Sequence, residues 1–321
     1  MLAPMTMRTL FLALAALPLL AAAAPWTGPY KDVTRGLGSP TPLIATPAWH
    51  RNGDTLFWAF ATGECGQERW GEFDTDAFAR ANVAHAVQQG QRYVVSTGGA
   101  LGIFTCGTDE GLARFVARYD SPMLLGLDFD IEGAQTPEQI DALVQGLAAL
   151  HRQRPALRIT FTLATHAGSD HDRRSLNATG VQVLQAMRRH GLHRAIVNLM
   201  VMNYGEADPR WCVVRQGRCD MGRSAVQAVR NLHRLHGVPF HRIAVTAMPG
   251  ENDVAGNVFT LADARRLAGA AQRLGLAGVH HWSLDRDQPC PVGEPRVSPA
   301  CHALPGVAPG RFGRALGSLP P

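Results

Sequence analysis

Short apolar runs recur along this chain at regular intervals, with amphipathic segments of helical period between them. The runs read as strands near Tyr30–Thr34, Thr55–Ala61, Arg92–Thr97, Leu124–Ile131, Leu157–Leu163, Ala195–Met202, Arg242–Ala247 and Gly278–Ser283. In one intervening segment Ile140, Leu143, Val144, Leu147 and Leu150 share a helical face. Thr136-Pro137-Glu138-Gln139 opens that helix with a capping box and a proline at the first helical position. Further helices are predicted from Asp76 toward Gly90, Gly180 toward Gly191, Met221 toward Gly237 and Thr260 toward Gly275, each closing at a glycine. Eight strands alternating with helices in 321 residues imply a closed (β/α)8 barrel, the TIM-barrel architecture, in a single domain. The rival doubly wound sheet usually carries a phosphate-binding glycine loop after its first strand, and nothing like GxGxxG follows Thr34.

The fourth run carries the candidate chemistry. Asp128, Asp130 and Glu132 alternate with Leu127, Phe129 and Ile131. Side chains alternate along a strand, so the three acids face one way, about 7 Å apart. A near-continuous apolar run belongs to a strand covered on both faces, where three like charges cost desolvation and repulsion. Such a cost is tolerated where chemistry is done. Glu132 also falls at the carboxyl end of its strand, the end at which barrels of this type place working residues.

Residues 1–24 read as a secretory leader: Arg8, then the apolar run Leu10 to Leu20, then small residues with cleavage near Ala23. No cysteine follows that run to take a lipid, and no later segment is apolar enough to span a membrane. The six cysteines suit an oxidising compartment, secreted or periplasmic. Local spacing favours Cys212 with Cys219 and Cys290 with Cys301, leaving Cys65 with Cys106; a zinc site is disfavoured because no CxxC pair is present. The net charge of +5 is almost all arginine, Lys31 being the only lysine. The arginines are scattered over predicted helices rather than blocked, which reads as compositional bias and not as a nucleic-acid footprint. Residues 25–302 are expected to form the barrel. Residues 303–321, rich in Gly and Pro and without periodicity, read as a surface extension or disordered end.

The strand motifs resemble those of the family 18 glycoside hydrolases, which include chitinases and endo-β-N-acetylglucosaminidases. The family's fourth-strand DxxDxDxE appears as Leu125-Gly126-Leu127-Asp128-Phe129-Asp130-Ile131-Glu132, its third-strand SxGG as Ser96-Thr97-Gly98-Gly99, its sixth-strand Met and Tyr as Met202-Asn203-Tyr204, and its eighth-strand tryptophan as Trp282. The first strand, Pro29-Tyr30-Lys31-Asp32-Val33-Thr34, is similar to that of secreted bacterial chitinases. Two positions depart from the pattern. Leu125 replaces the outermost acid, which is expected to adjust the rate rather than abolish it, and Asn203 stands where relatives often carry an acid.

The resemblance implies substrate-assisted hydrolysis of chitin or another N-acetylglucosamine-containing glycan by a monomer without cofactor or metal. Glu132 would be general acid and base, Asp130 would hold the acetamido N–H, Tyr204 the acetamido oxygen, and Trp282 would floor the cleaved sugar. Asp128 is expected to share a proton or hydrogen bond with Asp130, so that the cluster titrates as a unit. Ser96, Gly98 and Gly99 are expected to make a tight turn that lets the backbone approach the sugar. Trp58, Trp70 and Trp211 are candidate platforms for further sugars, with surface packing equally open. His166, Asp170, His171 and Asp172 follow the fifth strand and could meet substrate hydroxyls, although a solvated loop is the simpler reading. Two other functions remain open: an endo-β-N-acetylglucosaminidase acting on glycoprotein glycans, and a non-catalytic chitin-binding lectin on the same fold.

Overall fold

The computed structural model describes residues 26–35, 43–50 and 55–317, so the leader expected at 1–24 lies outside the described residues. Eight parallel strands form a closed barrel: β1 Trp26–Asp32, β2 Leu56–Ala61, β3 Tyr93–Gly98, β4 Leu124–Ile131, β5 Arg158–Ala164, β6 Ile196–Met200, β7 Ile243–Ala247 and β8 Gly278–Trp282. Each strand pairs with its successor. The wall closes where β1 meets β8, with Trp26 opposite Gly278 and Tyr30 opposite Trp282. All eight expected strands are present, shifted by a few residues at their ends.

The outer layer consists of α1 Thr75–Gln89, α2 Asp109–Tyr119, α3 Pro137–Gln153, α4 Ala178–Arg189, α5 Met221–His236, α6 Leu261–Leu274 and α7 Arg311–Gly317. The predicted capping box of α3 forms, Thr136 and Gln139 each bonding the other's backbone N–H. Gly90, Gly237 and Gly275 take the left-handed conformation that closes α1, α5 and α6. No such glycine marks α2, which ends at an extended Asp120 and so escapes a reading based on closing glycines.

Strand alternation divides the core in two. Leu127, Phe129 and Ile131 face outward and pack with Ile140, Leu143, Val144 and Leu147 of α3 in the large layer between barrel and helices. Fully burying a side chain of this kind is worth roughly 1.5–3 kcal/mol. Tyr30, Phe57, Ala59 and Val94 face inward and form a smaller cluster that Leu125 and Trp282 join. Leu125, in the place of the missing acid, therefore packs against apolar neighbours inside the barrel.

The tail reading needs correction. Among residues 303–317, α7 folds against β1, β8 and α6. Phe312 is fully buried, and the backbone N–H groups of Phe312 and Gly313 donate to Asp287 at 2.9 and 2.7 Å. The packed body thus continues past residue 302. The three disulfides join Cys65 to Cys106, Cys212 to Cys219 and Cys290 to Cys301, the pairing that spacing favoured. Lys31 is buried and pairs with Asp285 at 2.8 Å, tying β1 to the segment after β8. No helix among the described residues is long and apolar enough to cross a membrane.

Candidate active site

A cavity of about 300 Å³ opens at the carboxyl ends of the strands, and every strand or the residues just beyond it contributes to the wall. Asp130 and Glu132 come from β4, Thr162 and His166 from β5, Met202, Asn203 and Tyr204 from β6, and Trp282 from β8. The alternation read from the sequence is realised. Asp128 is wholly buried inside the barrel, Asp130 lies one step higher, and Glu132, just past the strand end, is open to solvent in the cavity.

Below the cavity Asp128 is held by hydroxyls. Ser96 donates to its Oδ2 at 2.6 Å, Tyr30 to the same oxygen at 3.0 Å, and Thr162 to Oδ1 at 2.7 Å. Asn198 donates its amide to Tyr30, Thr162 and Thr246 at 2.7–3.0 Å, which knits β1, β5, β6 and β7 together under the site. Burial raises the Asp128 carboxyl and the three hydroxyls pull it partway back, which leaves it at about 6. The partners of Asp128 are therefore hydroxyls, not Asp130, contrary to the expected Asp128–Asp130 bond.

Asp130 is raised well above the carboxylate range, first by burial and then by the charges of Glu132 and Asp128. Glu132 is raised by desolvation. Two carboxylates so close exchange protons as a pair, and the first proton lost belongs to both. Asp130 Oδ1 and the Tyr204 hydroxyl are buried without a hydrogen-bond partner. Buried polar atoms are normally satisfied, and two orphans in one cavity mark a place prepared for a polar ligand. Burial raises the Tyr204 hydroxyl too, so it remains a neutral donor.

Tyr204 is positioned by its backbone. Its N–H donates to Asn257 Oδ1 at 2.8 Å, and Asn257 returns its amide to the Gly205 carbonyl at 2.8 Å. Asn203 sits at φ +52° and is bound on both sides by the segment after β7: its N–H donates to Asn252, and its Oδ1 accepts from the Val254 N–H. Trp282 faces Phe60 with ring centroids 5.1 Å apart and planes at 21°, so the cavity has a two-ring aromatic wall.

Several expectations change. Ser96 does not shape a turn for sugar but bonds Asp128. Gly98 and Gly99, at φ +85° and +83°, make room for protein: a Cβ at Gly98 would lie 2.1 Å from the Asp130 carbonyl oxygen, and one at Gly99 2.7 Å from the Phe60 ring. Trp58 is not in the cavity. It faces outward, buried, stacked on Tyr93 at 4.0 Å and edge-on to Phe78. Phe60, two residues on, is the aromatic of β2 that lines the site. Trp70 is likewise buried, donating its indole N–H to Tyr119 at 2.7 Å. Trp211 is half-buried beside His166, which lines the cavity, at 4.8 Å. Among the described residues no three His, Cys, Asp or Glu side chains are arranged to hold a metal ion. Tyr30, Thr162 and Asn198 were missed as site residues. The signal was present, since each is a polar group at an inward position of an apolar strand.

No protein-family model matches the chain. Over 300 residues it is 29% identical to the probable bifunctional chitinase/lysozyme of Escherichia coli (strain K12), covering 86% of this chain and 32% of that protein. Over 221 residues it is 30% identical to Endochitinase 11 of Metarhizium anisopliae, covering 63% and 41%. The chain thus spans well under half the length of these curated relatives. Its backbone superimposes on catalytic-site mutants of active domain 2 of the thermostable Pyrococcus furiosus chitinase, solved with chito-oligosaccharides. The TM-score is 0.68 at 23% identity, with 91% of this chain and 93% of that one covered. In sequence along most of its length, and in the barrel it forms, the chain is chitinase-like.

Proposed function

We propose that the chain is a retaining glycoside hydrolase that cuts β-1,4-linked N-acetylglucosamine chains, chitin or its oligomers, with the substrate's own acetamido oxygen as nucleophile. The observation that carries this reading is the pair of unpartnered buried atoms, Asp130 Oδ1 and the Tyr204 hydroxyl, in the cavity that Glu132 borders. An acetamido group has one donor and one acceptor. Asp130 offers the acceptor for its N–H, and Tyr204 the donor for its oxygen.

In this mechanism Glu132 protonates the glycosidic oxygen as the bond to the anomeric carbon breaks. The acetamido oxygen attacks that carbon from the opposite face, forming a cyclic oxazolinium whose positive charge Asp130 balances as the carboxylate of the acid pair, the pair's one proton starting on Glu132. Glu132, now ionised, takes a proton from water as the water opens the ring. A general acid needs a pKa raised toward the working pH, and desolvation supplies that shift at Glu132. Holding nucleophile and electrophile in one molecule removes a barrier of roughly 7–11 kcal/mol at best. Trp282 and Phe60 give the sugar ring an apolar face. The chemistry calls for no cofactor. The similarity to chitinases that carry longer chains, and a superimposable barrel solved with chito-oligosaccharides, support chitin as the substrate class.

The test is hydrolysis of N-acetylglucosamine oligomers by the parent and by Glu132→Gln, with the anomer of fresh product recorded. The reading requires β product from the parent and a loss of about 10²–10⁴-fold in the variant, the usual worth of a positioned general acid. α product, an unimpaired variant, or cleavage of a high-mannose glycoprotein in place of chitin oligomers would each overturn it. We place the protein in an oxidising compartment outside the cytoplasm as a monomer. Three disulfides are compatible with that location, and a mature chain beginning near Pro25 that sediments as a single copy would support both points.

A further inference from the structure

Arginines that look scattered in the sequence converge on one side of the barrel. Arg223 and Arg230 lie seven residues apart on α5, as do Arg266 and Arg273 on the neighbouring α6. Seven residues are two helical turns, about 10 Å, so each helix presents two guanidinium groups along one stripe. The four line a cleft of about 330 Å³ between the helices, floored by Val226, Ala270 and Leu274. Arg230, Arg266 and Arg273 are exposed.

Helix α5 contains no acidic residue, and α6 contains only Asp263, whose oxygens accept from Thr260 and from the Gly222 N–H. Asp220, the cap of α5, engages Arg223. Among the described residues no carboxylate forms an ion pair with Arg230, Arg266 or Arg273. Elsewhere on the surface Arg118, Arg154, Arg189, Arg210 and Arg296 each have an acidic partner, and the arginines without one among the described residues, such as Arg80, Arg114 and Arg152, do not line this cleft; what marks the cleft is the convergence of four guanidiniums on one groove. Placing like charges about a concave surface without counter-charges costs energy, which a bound anion would relieve.

We infer that the α5–α6 cleft binds an acidic polysaccharide, its sulfate or carboxylate groups seated between the paired guanidiniums. Guanidinium binds such groups bidentately, which a point charge does not. No aromatic ring lines the cleft, so it lacks the stacking platforms of single-strand nucleic-acid grooves. The charges surround a cleft rather than covering a protruding apolar face, which is the wrong shape for a membrane surface. The cleft lies on the flank of the barrel, separate from the cavity, so this site would attach the protein to an anionic matrix without occupying the catalytic face. The inference does not depend on the reading of that cavity.

The experiment measures binding of the whole protein to heparin by titration at several salt concentrations, with neutral dextran and duplex DNA as comparators. One variant carries Arg230→Gln, Arg266→Gln and Arg273→Gln. A second, of equal net charge, carries Arg80→Gln, Arg114→Gln and Arg152→Gln on α1, α2 and α3. We expect heparin to bind more tightly than DNA of equal charge, and dextran not to bind. The cleft variant should lose at least about tenfold in affinity with a shallower salt dependence, while the control variant stays within about twofold. Cleavage of soluble oligomers and the melting temperature should be the same in all three proteins. Equal losses in the two variants would reduce the effect to net charge and overturn the site. Undiminished binding by the cleft variant, or tighter binding to DNA, would overturn it as well.

Discussion

Ser96 and Asp128, on adjacent strands inside the barrel, are joined by a 2.6 Å hydrogen bond from the serine hydroxyl to the carboxylate. With Tyr30 and Thr162 completing its shell, Asp128 is a buried acid held ready to ionise but still reluctant to do so. Its position two residues below Asp130 lets its charge bear on the acid pair above.

The pH dependence of stability tests this placement. The Asp128 carboxyl rises from 3.8 to about 6 on folding, so the native state binds its proton more tightly than the unfolded chain. The stabilisation is complete below about 3.8 and is lost as pH rises through 6. His280 and His281 act in the opposite sense. Burial lowers both to about 3, and their share is present above the usual 6.5 and lost as pH falls. The parent's own profile therefore sums opposing slopes, to which Asp287, also raised to about 6 by burial, contributes in the same sense as Asp128. The difference between the parent and Asp128→Asn isolates the acid and should shrink by about 2 kcal/mol from pH 4.5 to pH 7. A difference in urea unfolding that is constant across this range would refute the assignment.

Tyr204→Phe separates function from folding. The hydroxyl has no partner in the protein, so its removal breaks no hydrogen bond there, and the melting temperature should hold or rise slightly. Turnover on N-acetylglucosamine oligomers should fall by about 10²-fold with a smaller change in KM, as for loss of one preorganised donor. A variant that melts early but turns over normally would make Tyr204 a packing residue.

Gly98→Ala should be more damaging than Gly99→Ala. At Gly98 the added methyl meets the backbone oxygen of Asp130, which cannot withdraw without moving β4. At Gly99 it meets the edge of the Phe60 ring, a side chain bordering open space. Both carry the strain of positive φ, about 1–3 kcal/mol. The first should therefore fold poorly, and the second should fold but bind sugar with altered affinity. Melting curves in the reverse order would contradict this geometry.

Phe312→Ala tests whether the C-terminal helix belongs to the barrel. The ring is fully buried, and its loss should cost about 3–5 kcal/mol. A change of under about 0.5 kcal/mol in chemical denaturation would return this segment to the surface.

Where polarity alternates, the sequence discloses the site. Asp128, Asp130 and Glu132 stand out because every second residue between them is apolar. Leu56-Phe57-Trp58-Ala59-Phe60-Ala61 gives no such contrast. All six are apolar, so nothing in the string shows that Phe57 faces inward, Trp58 outward and Phe60 into the cavity. The barrel itself was legible from its strand rhythm. Helix α7 was not, because seven residues flanked by Gly and Pro carry too little period to register. The arginine cleft was hidden for a third reason. Arg230 and Arg266 are far apart in sequence, and only the packing of α5 against α6 brings them to one groove.

The pairing of Tyr30 with Trp282 sets an order on biogenesis. A nascent chain that has not yet produced its last barrel strand holds β1 with one side unpaired, and β7 likewise. These two raw edges are separated by more than two hundred residues of intervening polypeptide, and contacts between such distant segments form slowly. Synthesis that stops before the final strand emerges would leave both edges open to pairing with neighbouring chains.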